Sequence, residues 1–107
     1  MVFSESSSFT KKIYDVIGDD EYGQLQWHLM KNPESGVVIP SGGGIRKIRW
    51  AIEGKGKRSG ARVIYYWVTE DNEILFLDIY RKSEKDDLTK PEIDFFKDLV
   101  QEYLRHE

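Results

Sequence analysis

The sequence of 107 residues contains no cysteine and only two histidines, His28 and His106. Without cysteine the chain forms neither a disulfide framework nor a thiolate metal site, and two distant histidines give no pattern of metal ligands. No apolar run approaches the roughly 20 residues that a membrane-spanning helix needs. Residues 1–10 also lack a basic region followed by an apolar stretch. We therefore expect a cytoplasmic protein with no secretory signal, no membrane association, no metal and no cofactor.

The basic residues are concentrated in one segment. Residues 46–62 hold seven of the 16 lysines and arginines but only one of the 19 acidic residues. This segment therefore carries +6, and the rest of the chain carries −9 within the overall charge of −3. Such segregation is typical of a surface that binds a polyanion. A solvated hairpin tip whose charges only protect a sheet edge would give the same pattern, and charge alone leaves both readings open.

Apolar periodicity predicts two helices near the start of the chain and one at its end. Apolar residues recur at helical spacing over 9–17 and over 22–30, and the first segment ends at Gly18. Pro33 stops the second helix, because the residue before a proline is pushed out of the α region. Pro91 opens the last helix in its first turn.

The middle of the chain has the alternation of β-strands. Three β-prone segments, 45–51, 61–69 and 74–80, are joined by short connections, and Val2-Phe3 is a candidate edge strand. A chain of this length has room for one core, so we treat 1–107 as a single domain. We predict an α+β fold: a small antiparallel meander of three or four strands, with the helices covering one face and its edge and the other face open.

Four cations fall where such a meander would bring them together. Alternation puts Lys47 and Arg49 on one face of a strand, and a hairpin would place Arg62 near them. Lys82 follows the third strand, and Tyr66 or Tyr80 is expected among these side chains. Crowded like charges repel one another, so the cluster is destabilising unless an anion such as phosphate neutralises it.

Three motifs carry a family resemblance. They are GGIRKIR at 43–49, GKGKRSGARVIYY at 54–66 and IYRKSEKDDL at 79–88. Together they resemble the RelE/HigB superfamily of toxins from bacterial type II toxin–antitoxin systems, and most closely its HigB branch. The basic hairpin followed by the G-x-R-x-x-Y-Y strand is the most specific of these features. The resemblance spans about residues 43–88, and the helical ends agree with it in type and order.

The resemblance implies a RelE-like microbial RNase toxin fold and a metal-independent endoribonuclease, an mRNA interferase. Such a toxin enters the ribosomal A site, and the mRNA 2′-hydroxyl attacks the adjacent phosphate, so that translation and growth stop. By position in the motifs, Lys47 and Arg49 match the family's basic strand pair and Arg62 matches the arginine on the scissile phosphate. Lys82 matches the basic residue after the last strand. Where RelE has a tyrosine, this chain has Leu88.

The residue types suggest roles for these four. Arginine stays protonated and cannot serve as a base, whereas a lysine crowded by other cations releases its proton more readily. We therefore hypothesise Lys47 as the base and Arg62 as the phosphate ligand, with Lys82 or Arg49 assisting the leaving oxygen. A second set is expected to contact mRNA or the ribosome: Arg46, Lys55, Lys57, Arg58, Tyr66, Tyr80 and Arg81.

The resemblance also implies partners. They are a cognate antitoxin, expected to be a HigA-like helix-turn-helix protein, and the 70S ribosome with its rRNA and mRNA. DNA would be reached only through the antitoxin. Two other functions stay open: a ParE-like toxin that poisons DNA gyrase, and a non-enzymatic adaptor that attaches to nucleic acid through the basic hairpin.

Two further residues are expected to serve the fold alone. The pattern assigns Trp50 to the core, because a small sheet needs large apolar anchors. His28 stands beside the apolar stripe of the second helix and is read as a half-buried or surface residue without a function.

Overall fold

Helices and strands follow one another largely as the periodicity predicts. The computed structural model describes residues 1–52 and 60–105. In chain order the elements are β1 (Val2–Glu5), α1 (Ser7–Val16), α2 (Asp19–Lys31), β2 (Val37–Val38), β3 (Arg46–Trp50), β4 (Ala61–Val68), β5 (Glu73–Arg81) and α3 (Lys90–Arg105). Within the described ranges, no helix is long and apolar enough to cross a membrane.

Side chains at the helix starts fix where the first and last helices begin. The Ser6 hydroxyl accepts a hydrogen bond from the Phe9 backbone N–H at 3.2 Å, which caps α1. At α3 the Thr89 N–H donates to the Glu92 carboxylate at 2.8 Å, and the Glu92 N–H donates to the Thr89 hydroxyl at 3.3 Å. This reciprocal pair is a capping box, which satisfies two backbone donors that a helix start otherwise leaves unpaired.

The five strands form one sheet in the order β1-β5-β4-β3-β2. Strands β3, β4 and β5 make the predicted antiparallel meander, and β1 is an edge strand that runs parallel to β5. The α+β fold class is therefore confirmed. The short strand β2 pairs with β3 at the other edge, in a part of the chain where the alternation predicts no strand. Two residues are too few for strand alternation to show in the sequence.

A bulge between β4 and β5 decides which side chains share a face. The pairing passes from Ile64 opposite Asp78 to Tyr65 opposite Phe76, which leaves Leu77 as an extra residue. Because of this extra residue, Phe76 and Ile79 reach the same core although they differ in parity along the strand.

Helices cover both faces of the sheet, so the prediction of one open face was wrong. On one face α1 and α2 pack against a core that includes Tyr65 and Phe76. On the other face Phe96 and Val100 of α3 pack against Ile64 and other strand residues. The sequence held a clue: β5 is a nearly continuous apolar run, which is typical of a strand buried on both sides. A functional site must therefore lie at an end or an edge of the sheet.

Candidate active site

The strand register places two arginines side by side at one end of the sheet. Arg49 of β3 is the direct cross-strand partner of Arg62 on β4, and Arg62 is in turn the partner of Tyr80 on β5. Direct partners project from the same face of a sheet. Lys82 follows β5, where its backbone N–H donates to the Gly60 carbonyl at 2.9 Å. As a result Arg49, Arg62 and Lys82 line one cavity of about 400 Å³.

Arg62 is the buried member of this cluster. Only 6% of its surface is exposed, and its guanidinium group donates to the neighbouring Ala61 carbonyl at 3.2 Å. Among residues 1–52 and 60–105, no carboxylate forms an ion pair with Arg49, Arg62 or Lys82. A buried cation without an anionic partner is energetically unfavourable. This end of the sheet is therefore suited to an anionic ligand.

Lys47 lies next to this cluster of three cations and forms an ion pair with Asp87. It precedes Arg49 by two residues on the same face of β3, and its ammonium group donates to the Asp87 carboxylate. This hydrogen bond and the charge of Lys47 lower the pKa of Asp87 from its usual value, and the charges of Arg62 and Arg49 lower it further. The Asp87 carboxylate thus lies in the field of three of the four cations, where a phosphate would also be attracted.

Tyr80 is buried beside Arg62, its direct partner on β4. It is 2% exposed, and burial together with the negative charge of Asp87 raises its pKa to about 12, against the opposing charge of Arg62. The ammonium group of Lys85 lies 4.8 Å from the centre of its ring. Tyr80 thus lies among the cations as expected, but its covered ring offers almost no surface for contact with RNA.

Tyr66 lies away from the cations. It stands four residues beyond Arg62 on β4, or about 13 Å along the strand. Its ring packs against the core under α3 and so closely to Gly44 that a Cβ atom there would lie 3.1 Å from it. The structure therefore does not bring Tyr66 into the cluster.

Arg46 and Arg81 are engaged in contacts that hold the fold. The Arg46 guanidinium donates to the carbonyls of Glu34 and Gly36, both at 2.9 Å. Arg81 donates to the Asp15 carbonyl at the end of α1 and pairs with Glu84 at 3.2 Å. Both side chains are directed away from the cavity of Arg49 and Arg62. The remaining expected RNA contacts, Lys55, Lys57 and Arg58, lie outside the described residues.

Sequence reasoning left two features out of the site. Asp87 is not among the residues that the motifs assign to the site, although it follows the basic end of β5 by a few residues. His28 was assigned no function, yet its ring lies 5.8 Å from that of Trp50, which follows Arg49 on β3. Nothing in the sequence pairs a residue of α2 with one of β3, because only the packing of the helix on the sheet brings them together.

Comparison with known proteins bears on the family and on the fold. Residues 30–107 match the model of the family described as the RelE toxin of the RelE / RelB toxin-antitoxin system. The chain also resembles the isolated E. coli RelE toxin, with a TM-score of 0.53 and 14% identity over 92% of this chain and 97% of that one.

Two further solved structures show the same fold. The match to a mutant E. coli RelE in the free state has a TM-score of 0.54 and 13% identity, covering 79% of this chain and 86% of that one. The match to the intact E. coli RelBE toxin-antitoxin complex has a TM-score of 0.51 and 13% identity, covering 73% of this chain and 92% of that one. Assignment to the HigB branch stays a prediction. With the family match covering more than half of its residues, the chain belongs to the RelE family of toxins from toxin–antitoxin systems.

Proposed function

We propose that this toxin is an endoribonuclease that cuts mRNA in the ribosomal A site. The observation that carries the proposal is the cavity lined by Arg49, Arg62 and Lys82, in which the nearly buried Arg62 has no carboxylate partner among the described residues. In the transition state of phosphoryl transfer, negative charge collects on the non-bridging oxygens. One preorganised donor aimed at such charge is worth about 3–4 kcal/mol. We assign this role to Arg62.

Lys47 and Asp87 together provide an acceptor for the proton of the 2′-hydroxyl. A lysine that donates a hydrogen bond to Asp87 already carries its proton and must release one before it accepts another. In the proposed step, Lys47 takes the 2′-hydroxyl proton as it passes one of its own to Asp87. The bond from O2′ to phosphorus forms while the bond from phosphorus to O5′ breaks. Lys82 donates a proton to the departing 5′-oxygen, and Arg49 beside it stabilises the charge that develops there.

The products of this step are a 2′,3′-cyclic phosphate and a free 5′-hydroxyl. No external water enters, because the nucleophile is part of the RNA itself. Loss of intact mRNA on the ribosome would stop translation and growth in the cytoplasm, which fits the family's place in toxin–antitoxin systems.

A partner that restrains the toxin follows from the family. One of the similar structures is a toxin–antitoxin complex. We propose that a cognate antitoxin binds this chain, with a HigA-like helix-turn-helix protein as the expected type. DNA contact would then come through the antitoxin.

Arg62→Ala tests the proposal in a cleavage assay on ribosomes programmed with a defined mRNA. We expect the single-turnover rate to fall about 100- to 1,000-fold, the usual loss when one such donor is removed. Arg105→Ala, at the exposed end of α3, is the matched control and should cut at the wild-type rate. Because Arg62 is buried, Arg49→Ala serves as a second variant at an exposed position, and circular dichroism verifies that each variant folds.

The same assay separates the rival functions. Arrest of DNA gyrase with intact mRNA would support the ParE-like reading and contradict the nuclease. An adaptor would bind ribosomes or RNA without cutting, and its affinity would fall in steps as single cations are removed.

A further inference from the structure

A second cavity opens at the edge of the sheet beside the cationic cluster. It has a volume of about 510 Å³, and its walls include His28, Ser35, Lys47, Arg49 and Trp50. It lies beside the short strand β2, which pairs only with Arg46 and Lys47. Within the described ranges, the rest of β3 therefore has no neighbouring strand on that side. Volumes of this size are typical of small-molecule sites.

Two aromatic rings form one wall of this cavity. The ring centres of His28 and Trp50 are 5.8 Å apart and inclined at 58°. Trp50 packs partly against the core under α1 and α2, and both residues remain partly exposed. The imidazole Nε2 of His28 lies 3.2 Å from the Ser35 hydroxyl, so polar groups border the rings. The wall thus combines an aromatic surface with hydrogen-bonding groups at its rim.

The aromatic cavity and the cationic cavity share side chains. Arg49 and Trp50 line both, so the two cavities adjoin at the end of β3. The cationic cavity attracts phosphate, and the aromatic cavity offers a surface that suits a planar heterocycle. A nucleotide consists of these two parts, joined through a sugar.

We propose that the His28–Trp50 cavity binds the base of a nucleotide adjacent to the scissile phosphate. The base stacks on Trp50, and Ser35 and His28 contact its polar edge. Single-stranded RNA is commonly recognised in this way, by unstacked bases that lie on aromatic side chains. The inference rests on the proposed function, because it assumes that the phosphate of the same RNA occupies the cavity of Arg49, Arg62 and Lys82.

A double-mutant cycle between the protein and the RNA tests the proposal. Trp50→Leu is compared with the wild type on ribosome-bound mRNA whose A-site nucleotides are replaced, one at a time, by abasic nucleotides. On the intact codon we expect Trp50→Leu to raise the half-saturating toxin concentration roughly 5- to 150-fold, as for other base–aromatic contacts. At one abasic position the wild type and the variant should have the same half-saturating concentration, because the base that Trp50 contacts is already missing.

Two further variants serve as controls for the double-mutant cycle. Trp27→Leu is the matched control, because Trp27 is 57% exposed on α2 and does not line the cavity. It should behave as the wild type with every mRNA. Trp50→Phe keeps an aromatic face and should restore most of the affinity that Trp50→Leu loses. Circular dichroism verifies folding in each case.

Two results would overturn the inference while leaving the nuclease intact. One is a Trp50→Leu variant with wild-type half-saturation on the intact codon. The other is a loss of equal size on the intact codon and on all three abasic mRNAs, which would assign Trp50 a structural role or a contact with a protein partner. If the wild type cuts no ribosome-bound mRNA, the proposed function itself fails and the inference falls with it.

Discussion

At the scale of single residues, Asp87 decides how much positive charge the cluster presents. Its side chain is 70% exposed and accepts a hydrogen bond from Lys47, which is 23% exposed. Without a ligand, this carboxylate offsets one of the four cations. With RNA bound, the same carboxylate either has to share Lys47 with the substrate or takes part in the proton transfer that we propose.

Asp87→Asn separates these two roles. Asparagine still accepts a hydrogen bond from Lys47 but takes no proton, so we expect the single-turnover cleavage rate on ribosomes to fall about 100-fold, as when an acid–base group is lost. Asp86→Asn, one residue earlier and also exposed, is the matched control. If Asp87 were only a counterion, its replacement would strengthen RNA binding and leave the cleavage rate unchanged or higher.

At the scale of elements, Ser6 joins the first helix to the sheet. Its hydroxyl caps α1 at the Phe9 N–H and also donates to the Leu77 carbonyl of β5 at 2.6 Å. Leu77 is the extra residue of the bulge and has no partner on β4. Its carbonyl accepts the hydrogen bond from Ser6 instead. One side chain thus satisfies a helix end and a strand irregularity.

Ser6→Ala is expected to lower the free energy of unfolding by about 1–2 kcal/mol, because it removes the cap and leaves the Leu77 carbonyl without that donor. Urea denaturation followed by circular dichroism measures the loss. Ser7→Ala, at an exposed position in the first turn of the same helix, should change the stability much less. Equal losses in the two variants would show that the Ser6 hydroxyl does not stabilise the helix.

At the scale of the whole molecule, the uneven distribution of charge governs the approach to a polyanion. The segment 46–62 carries +6 in a chain of net charge −3. Association driven by phosphate contacts weakens with salt, because counterions are released from the nucleic acid. The anionic remainder of the surface limits this attraction to the basic side.

The basic connection between β3 and β4 provides a test by salt dependence. We expect the triple variant K55A/K57A/R58A to reduce the slope of log affinity for ribosomes against log salt by about 0.7–0.9 for each phosphate that the variant no longer neutralises. A variant with the same reduction of charge elsewhere, K11A/K90A/R105A, is the control and should keep the wild-type slope. Equal changes in the two variants would mean that net charge alone matters, without a localised contact.

Buried tyrosines make the fold sensitive to alkali. Burial raises the pKa of Tyr80 to about 12, and burial with a hydrogen bond to Glu5 also raises the pKa of Tyr22. The folded state thus holds these protons more tightly than the unfolded chain, in which a tyrosine titrates at its ordinary pKa of 10.0. The contribution of Tyr80 to stability is complete below pH 10.0 and is lost as the pH rises toward 12.

Tyr80→Phe should make the free energy of unfolding less dependent on pH in the alkaline range. We expect the free energy of unfolding of the wild type to decrease between about pH 10 and pH 12, and that of the variant to decrease less. Urea denaturation across this range measures the slopes, and the same measurement at pH 7, where both states are protonated, is the reference. A variant with the wild-type slope would contradict the assignment to Tyr80.

Much of the site was predictable because strand alternation is a local property. Lys47 and Arg49 share a face by parity alone, and a hairpin necessarily brings the start of β4 near them. Tyr66 projects from the same face of β4 as Arg62, but alternation does not show how far apart two side chains lie along the strand or which helix covers each of them. Arg81 ends the strand from which we predicted an RNA contact. Its side chain nevertheless extends to the end of α1, which lies far away in sequence.

The sequence by itself determined the three helices, the meander and the cationic character of one end of the sheet, because periodicity, caps and charge act over a few neighbouring residues. Only the tertiary structure decided that α3 covers the second face, that Asp87 reaches Lys47 and that His28 lies against Trp50. Those contacts join residues distant in the chain. They depend on how helices pack on a bulged sheet, and local sequence preferences do not encode that packing.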